Sequence, residues 1–178
     1  MTRLFVALRP PAAVRGVLLD AMGGVERARW QDDEQLHLTL RFAGEIDARL
    51  ADDLAATLGQ VDAAPFDLRV LGVGHFERKG RPTALWAGLA SSADLAVLQH
   101  KIERACQRAG LEPEHRKFTP HITLARLNNS AGAVGGWLAA HGALTAPPWR
   151  VDEFRLYESV LTPAGSAYEP VVSYRLRG

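Results

Sequence analysis

Two stretches of the 178-residue sequence place a threonine two residues after a histidine: Leu36-His37-Leu38-Thr39-Leu40 and Pro120-His121-Ile122-Thr123-Leu124. Six His and eight Thr in a chain of this length yield ~0.3 His-x-Thr triplets by chance, so two in matching surroundings point to a shared role. An imidazole titrates near neutrality, so two of them on either side of a substrate can serve as general acid and general base. Two hydroxyls can donate to the non-bridging oxygens of a phosphoryl group, where charge grows during in-line displacement, and an arginine can add a bidentate contact. Phosphodiester chemistry suits this set best. A Gly-x-Ser-x-Gly elbow, a P-loop and a His-Glu-x-x-His helix are all absent, and a single cysteine, Cys106, leaves no multi-cysteine zinc site.

Side chains alternate across a strand, so His37, Thr39 and Arg41 are expected on one face and Leu36, Leu38 and Leu40 on the other. The same rule puts His121 and Thr123 in front of Ile122 and Leu124. A lone strand histidine is usually structural; it is the pairing of the two motifs that makes these functional candidates. Arg41 joins them as a substrate contact because it shares the face of His37. Phe42, Trp149 and Tyr157 are candidates to stack a base, although strand aromatics more often belong to a core.

Each motif is the third element of its half of the chain. In the first half, a strand at Leu4 to Leu8 precedes a helix with Val14, Val17, Leu18 and Met22 on one face, then the strand Leu36 to Phe42. A helix capped by Asp47, with Leu50, Leu54 and Leu58 in a stripe, and a strand from Phe66 to Val73 follow. A Gly-rich basic loop, Gly72 to Pro82, carrying His75, Arg78, Lys79 and Arg81, is expected near the middle of the chain. The second half repeats the order with strand Ala84 to Leu89, a helix capped by Ser92 and ended by Gly110, and strand Phe118 to Leu127. A helix over Ala131 to Ala140 and strands Trp149 to Val160 and Tyr168 to Leu176 complete it, the last with Tyr168, Val172, Tyr174 and Leu176 on one face. The expectation is an α+β protein built by duplication, with two mainly antiparallel sheets facing a central cleft and helices on the outer faces. Residues 1–178 then form one domain of two pseudo-symmetric lobes, carrying the motifs at 37–40 and 121–124.

Composition limits the partners. The chain is 47% apolar and 23% charged, which supports a buried core, and 21 Lys+Arg against 20 Asp+Glu leave a net charge of +1. A polybasic binder is excluded, and affinity for a polyanion must come from a local cluster. Leu4 to Leu8 is too short for a signal-peptide core and no stretch approaches the ~20 apolar residues of a membrane span, so a cytoplasmic protein with no membrane partner is expected.

At these residues the chain resembles the two-histidine (2H) phosphoesterase superfamily, within it the RNA 2′,3′-cyclic phosphodiesterases also called 2′-5′ RNA ligases. The matching segments are Arg3 to Leu8, His37-Leu38-Thr39-Leu40-Arg41-Phe42 with Gly44-Glu45, Leu85-Trp86-Ala87-Gly88-Leu89, and Phe118-Thr119-Pro120-His121-Ile122-Thr123-Leu124-Ala125-Arg126. The resemblance implies a bilobal duplicated fold, no cofactor, no metal, and opening of RNA 2′,3′-cyclic phosphate ends, tRNA fragments among them, to a 2′-phosphomonoester by a monomeric enzyme. It makes His37 the proton donor and His121 the proton acceptor, with Thr39 and Thr123 on the phosphoryl oxygens. It also places a substrate-binding arginine at Arg126, which strict alternation would send to the face opposite His121 unless the strand ends or bulges first. Joining of RNA ends is the alternative within the family. Outside it stand a non-catalytic single-stranded RNA-binding module, for which no Arg/Lys-Gly-Phe-Gly-Phe-like strand is found, and a metal-dependent phosphodiesterase, for which no ligand spacing repeats.

Overall fold

The computed structural model describes residues 1–178. The first half of the chain contains strand β1 (Thr2–Leu8), helix α1 (Ala12–Asp20), the two-residue strand β2 (Arg29–Trp30), a 3-10 turn at Asp33–Gln35, strand β3 (Leu38–Ile46), helix α2 (Ala48–Leu58), and strands β4 (Phe66–Leu68) and β5 (Val70–Arg78). The second half contains β6 (Arg81–Leu89), α3 (Ala93–Ala109), β7 (His121–Arg126), α4 (Gly135–Ala140), β8 (Trp149–Val151), β9 (Glu153–Thr162) and β10 (Gly165–Arg175). The result is an α+β protein with a large antiparallel sheet and four helices.

Hydrogen bonding runs in the order β10-β9-β1-β3-β7-β6-β5, with β2 added to β7 and a separate β4-β8 pair. The path divides naturally between β3 and β7, which are joined at one pair of residues, Leu38 opposite Ile122. The two expected sheets are thus halves of one path that meet beside the two motifs.

One face of the sheet carries the main core. Leu4, Val6, Leu8, Leu38, Leu40, Ile122 and Leu124 pack there with Val14 and Leu18 of α1, Leu54 and Leu58 of α2, and Leu95, Leu98, Ile102 and Cys106 of α3. The expected caps form: Asp47 accepts from the Leu50 N–H at 2.8 Å, Ser92 from the Leu95 N–H at 3.1 Å, and Gly110 closes α3 at φ 117°. The opposite face carries a small cluster of Phe5, Ala7 and Tyr157 with Tyr168 against it.

Three sequence readings need correction. The basic loop at Gly72 to Pro82 is a β-hairpin of β5 and β6, turned at Lys79 (φ 53°) and Gly80 (φ 76°), the pair of positive φ values that a type I′ turn requires. The strand from Phe66 to Val73 is two strands in different sheets. Tyr168 and Tyr174 do not share a face, because a bulge between Pro170 and Val172 reverses the alternation of β10. Tyr168 therefore meets Phe5, while Tyr174 stacks on Phe154 and donates to the Ala55 carbonyl at 2.8 Å.

Candidate active site

The motif residues meet at the junction of the two sheet halves. Continued one residue in each direction from Leu38 and Ile122, the antiparallel register sets His37 opposite Thr123 and Thr39 opposite His121. Cross-strand neighbours project to one face, so the two imidazoles and two hydroxyls form a four-cornered group over the cleft. The apolar residues between them, Leu38 and Ile122, are fully buried behind.

Both histidines are held by the same device. His37 Nδ1 lies 2.7 Å from the Gln35 carbonyl oxygen, and His121 Nδ1 lies 2.7 Å from the Thr119 carbonyl oxygen. A carbonyl only accepts, so each Nδ1 carries its proton and each Nε2 is left free for proton transfer. The segment that presents Gln35 is itself fixed by a capping box, in which Asp32 accepts from the Gln35 N–H and Gln35 accepts from the Asp32 N–H, both at 3.0 Å. Arg9 tightens the same segment by donating to the carbonyls of Asp33 and Leu36 at 2.6 and 2.7 Å.

Aromatic rings flank each imidazole. His37 lies between Phe5, at 4.9 Å between ring centroids, and Tyr168, at 5.0 Å. His121 meets Phe76 edge-on at 4.7 Å and Trp86 at 5.9 Å. Gly74, opposite Trp86 in the hairpin, leaves the space the indole fills, since a Cβ there would lie 2.3 Å from the ring. These rings remove water from the imidazoles, and the loss of solvation disfavours their charged forms. Burial, with repulsion from Arg126, His121 and Arg9 and against the bond to Gln35, lowers His37 to about 4. Burial and Arg126 also lower His121 below its usual value.

Arg126 acts on both histidines because it stands on their face. The register of β6 against β7 shifts between Leu85 and Trp86, and the bulge puts Leu124 and Ala125 together on the core side. Alternation restarts with Arg126 over the cleft, exposed, which resolves the conflict with strict alternation. A bulge between β1 and β3, at Val6 and Ala7, does the same to the first motif with the opposite outcome for Arg41. Leu40 and Arg41 both turn to the helix side, so the expectation of Arg41 as a substrate contact is overturned. Its side chain is 8% exposed, and its guanidinium pairs with Glu103 of α3 and donates to the Phe42 carbonyl at 2.6 Å. Phe42 then emerges on the cleft face, half exposed, with its ring 5.9 Å from Phe5.

Of the other aromatic candidates, Trp149 is buried in the main core and Tyr157 stacks on Phe5 at 5.3 Å. Sequence reading missed Phe5, Tyr168, Phe76, Trp86 and Arg9. The all-apolar run Leu4 to Leu8 hides which of its side chains face the cleft, but Trp86 had a signal, the alternation of β6 opposite the second motif. No three His, Cys, Asp or Glu side chains converge on a point where they would hold a metal ion. No helix is long and apolar enough to cross a membrane.

Comparison with known proteins agrees with this geometry. The family model described as the 2′-5′ RNA ligase superfamily matches residues 10–162. The chain is 34% identical over 190 residues to an RNA 2′,3′-cyclic phosphodiesterase of Thermus thermophilus, covering 99% of this chain and 91% of the relative. It is 32% identical over 141 residues to one of Aeropyrum pernix, covering 78% and 80%. The crystal structure of Escherichia coli LigT complexed with 3′-AMP superposes with a TM-score of 0.79 at 26% identity over 99% of both chains. With duplicated His-x-Thr strands, a bulge after each and matches along nearly its whole length, this chain belongs to the 2′-5′ RNA ligase superfamily of two-histidine phosphoesterases.

Proposed function

We propose that the protein opens RNA 2′,3′-cyclic phosphates to 2′-phosphomonoesters by acid-base exchange between His37 and His121, without a metal ion. The observation that carries this reading is the matched pair of imidazoles, each with Nδ1 on a carbonyl and Nε2 free, on either side of a space faced by Thr39, Thr123 and Arg126. In the hydrolytic direction the neutral Nε2 of His121 takes a proton from water as the water oxygen attacks phosphorus. The bond from phosphorus to the 3′-oxygen breaks, and protonated His37 supplies that oxygen with its proton. The two threonine hydroxyls and the Arg126 guanidinium bind the non-bridging oxygens as their charge increases. All these groups come from one chain, which supports action as a monomer, and RNA ends such as those of tRNA fragments would be met in the cytoplasm.

The direct test incubates an oligoribonucleotide ending in a 2′,3′-cyclic phosphate with the protein, with and without EDTA, and identifies the product by phosphorus NMR. A 2′-phosphate formed at the same rate in both arms is expected. A 3′-phosphate product would overturn the regiochemistry, and activity abolished by EDTA and restored by one divalent ion would overturn the metal-free mechanism. Joining of RNA ends is the same step with a 5′-hydroxyl in place of water: His121 takes the proton of the attacking hydroxyl, the bond from phosphorus to the 3′-oxygen breaks, and His37 protonates that oxygen. Adding a 5′-hydroxyl oligonucleotide at high concentration would reveal it as a longer, 2′-5′-linked product.

A further inference from the structure

Arg29 lies directly across from Arg126 in the pairing of β2 with β7, so the two guanidiniums rise from the same face of the sheet. The neighbour of Arg29 holds it there: Trp30, paired with Ala125, turns the other way and brings its ring to 5.8 Å from that of Trp137. Like charges placed opposite one another on strands destabilise the pair, and neither arginine enters any of the chain's ion pairs. Asp32, three residues further along the chain, has one carboxylate oxygen occupied in capping the 3-10 turn. In a chain whose net charge is only +1, two such unpaired cations side by side are a local feature that an anion would stabilise.

The space they border is open. A groove of about 380 Å³ is lined by Arg29, Arg126, Asp32, Gln35, Ser166 and Tyr168 among others. It continues into the catalytic cleft through Tyr168, whose ring is 5.0 Å from His37. Its far wall is the hairpin of β9 and β10, tied down by the bond from Gln35 Nε2 to the Ser166 carbonyl at 3.0 Å. A side chain at Gly165, at the tip of that hairpin, would begin 3.9 Å from Arg29 Nη2, so the guanidinium reaches along the groove to its outer end.

We propose that Arg29 is a second phosphate-binding residue, which takes the phosphodiester on the 5′ side of the terminal ribose while Arg126 takes the reacting cyclic phosphate. This rests on the phosphodiesterase reading and narrows its substrate class to RNA chains over free cyclic mononucleotides. Arginines on paired strands stand ~5 Å apart at their α-carbons, and their long side chains span to successive phosphates of one strand. A cyclic mononucleotide has no second phosphate, so Arg29 contributes nothing to its turnover.

The experiment compares cytidine 2′,3′-cyclic phosphate with a trinucleotide ending in the same group, using wild-type protein, Arg29→Met and Arg29→Lys. Arg29→Met is expected to lower kcat/KM for the trinucleotide by ~10-fold or more while the mononucleotide stays within ~2-fold. The dependence of log kcat/KM on log salt for the trinucleotide should flatten by about 0.7, one contact to a single strand. Arg29→Lys should restore part of both. Equal losses on the two substrates, or none on either, would overturn the subsite. For wild-type protein, the trinucleotide product bearing a 2′-phosphate should also compete more tightly than cytidine 2′-phosphate, with a steeper salt dependence, and equal inhibition would overturn the subsite without any variant. Failure of the wild type to open either substrate would instead overturn the phosphodiesterase reading.

Discussion

Phe42 and Arg126 hold the same position in the two halves of the sheet. Each stands three residues after its motif threonine, and each is returned to the cleft face by a bulge that sends the two preceding residues to the helix side. Those two are Leu40 and Arg41 in the first half and Leu124 and Ala125 in the second, all four buried. The two matching bulges thus offer an apolar ring on one side of the motifs and a cation on the other. On the proposed mechanism, the asymmetry of this pair would give a cyclic nucleotide end, with its stackable base face and anionic phosphate, one orientation.

The kinetic consequences of the two residues should separate. Arg126 faces charge that grows in the transition state, so Arg126→Ala is expected to lower kcat by ~10²-fold. Phe42 offers a ring to a base that is equally present before and during reaction, so Phe42→Ala should raise KM by ~10-fold and leave kcat nearly unchanged. Steady-state kinetics on an oligonucleotide cyclic phosphate decide it. A kcat effect for Phe42→Ala as large as that for Arg126→Ala would remove the distinction.

Arg41 should behave as a structural residue. Its side chain and that of Glu103 are 8% and 13% exposed, and Arg41 also donates to the Glu112 and Phe42 carbonyls. Truncation leaves a largely buried carboxylate without its cation, which typically costs ~3–5 kcal/mol. For a chain of this size that lowers Tm on the order of 10 °C. Arg41→Ala is expected to show that loss in thermal unfolding while kcat at a temperature where the variant is folded stays within ~3-fold. A normal Tm with kcat reduced by ~10²-fold would return Arg41 to the site.

The contrast between Arg41 and Arg126 shows where sequence reading works and where it stops. The motifs, the caps at Asp47 and Ser92 and the apolar stripes of α2 and α3 were legible, because each rests on a period or a local hydrogen bond carried by a few adjacent residues. A bulge rests on neither. It inserts one residue without a change in composition, and every side chain beyond it moves to the other face, which misplaced Arg41 on β3 and Tyr174 on β10. For Arg126 the family resemblance demanded a bulge that alternation denied, and the register between Leu85 and Trp86 supplies it. The rings around the histidines were hidden for a different reason: Phe5, Phe76 and Tyr168 come from three strands whose proximity follows from strand order, which no local pattern encodes.

The hydroxyls of Thr39 and Thr123 should matter to rate and hardly to folding. Both are half-buried on the cleft face, so valine fits the same space on a strand and removes only the donor. Thr39→Val and Thr123→Val are each expected to lose ~10²-fold in kcat, by analogy with the loss of one donor to a developing oxyanion, with Tm close to that of the wild type. Unchanged kcat in both variants would exclude the hydroxyls from the mechanism.

The strongest constraint concerns which histidine gives the proton and which takes it. The free protein holds His37 at about 4 and His121 below the usual histidine value, so at pH 7 both imidazoles are largely neutral before substrate binds. Hydrolysis needs one proton on the pair, and that state is lost as pH rises above the two values and doubly protonated as pH falls below them. The profile of kcat/KM, which reports the free enzyme, should therefore be a bell with its maximum on the acid side of pH 6.5. A bound phosphate anion offsets the Arg126 repulsion and raises both histidines, so the kcat bell should lie at higher pH. Burial above all, with repulsion from Arg126, His121 and Arg9, lowers His37 and so disfavours its protonated form before substrate binds; the donor role assigned to it is therefore decided by the leaving-group experiment below and not by these shifts. His37→Ala and His121→Ala should each cost several orders of magnitude, and the double variant little more, because they act as one unit. A substrate with a 3′-thiolate leaving group hardly needs protonation, so it should restore much of the rate to His37→Ala and none to His121→Ala. Rescue of His121→Ala alone, or equal rescue of both, would reverse or void the assignment while leaving the site in place.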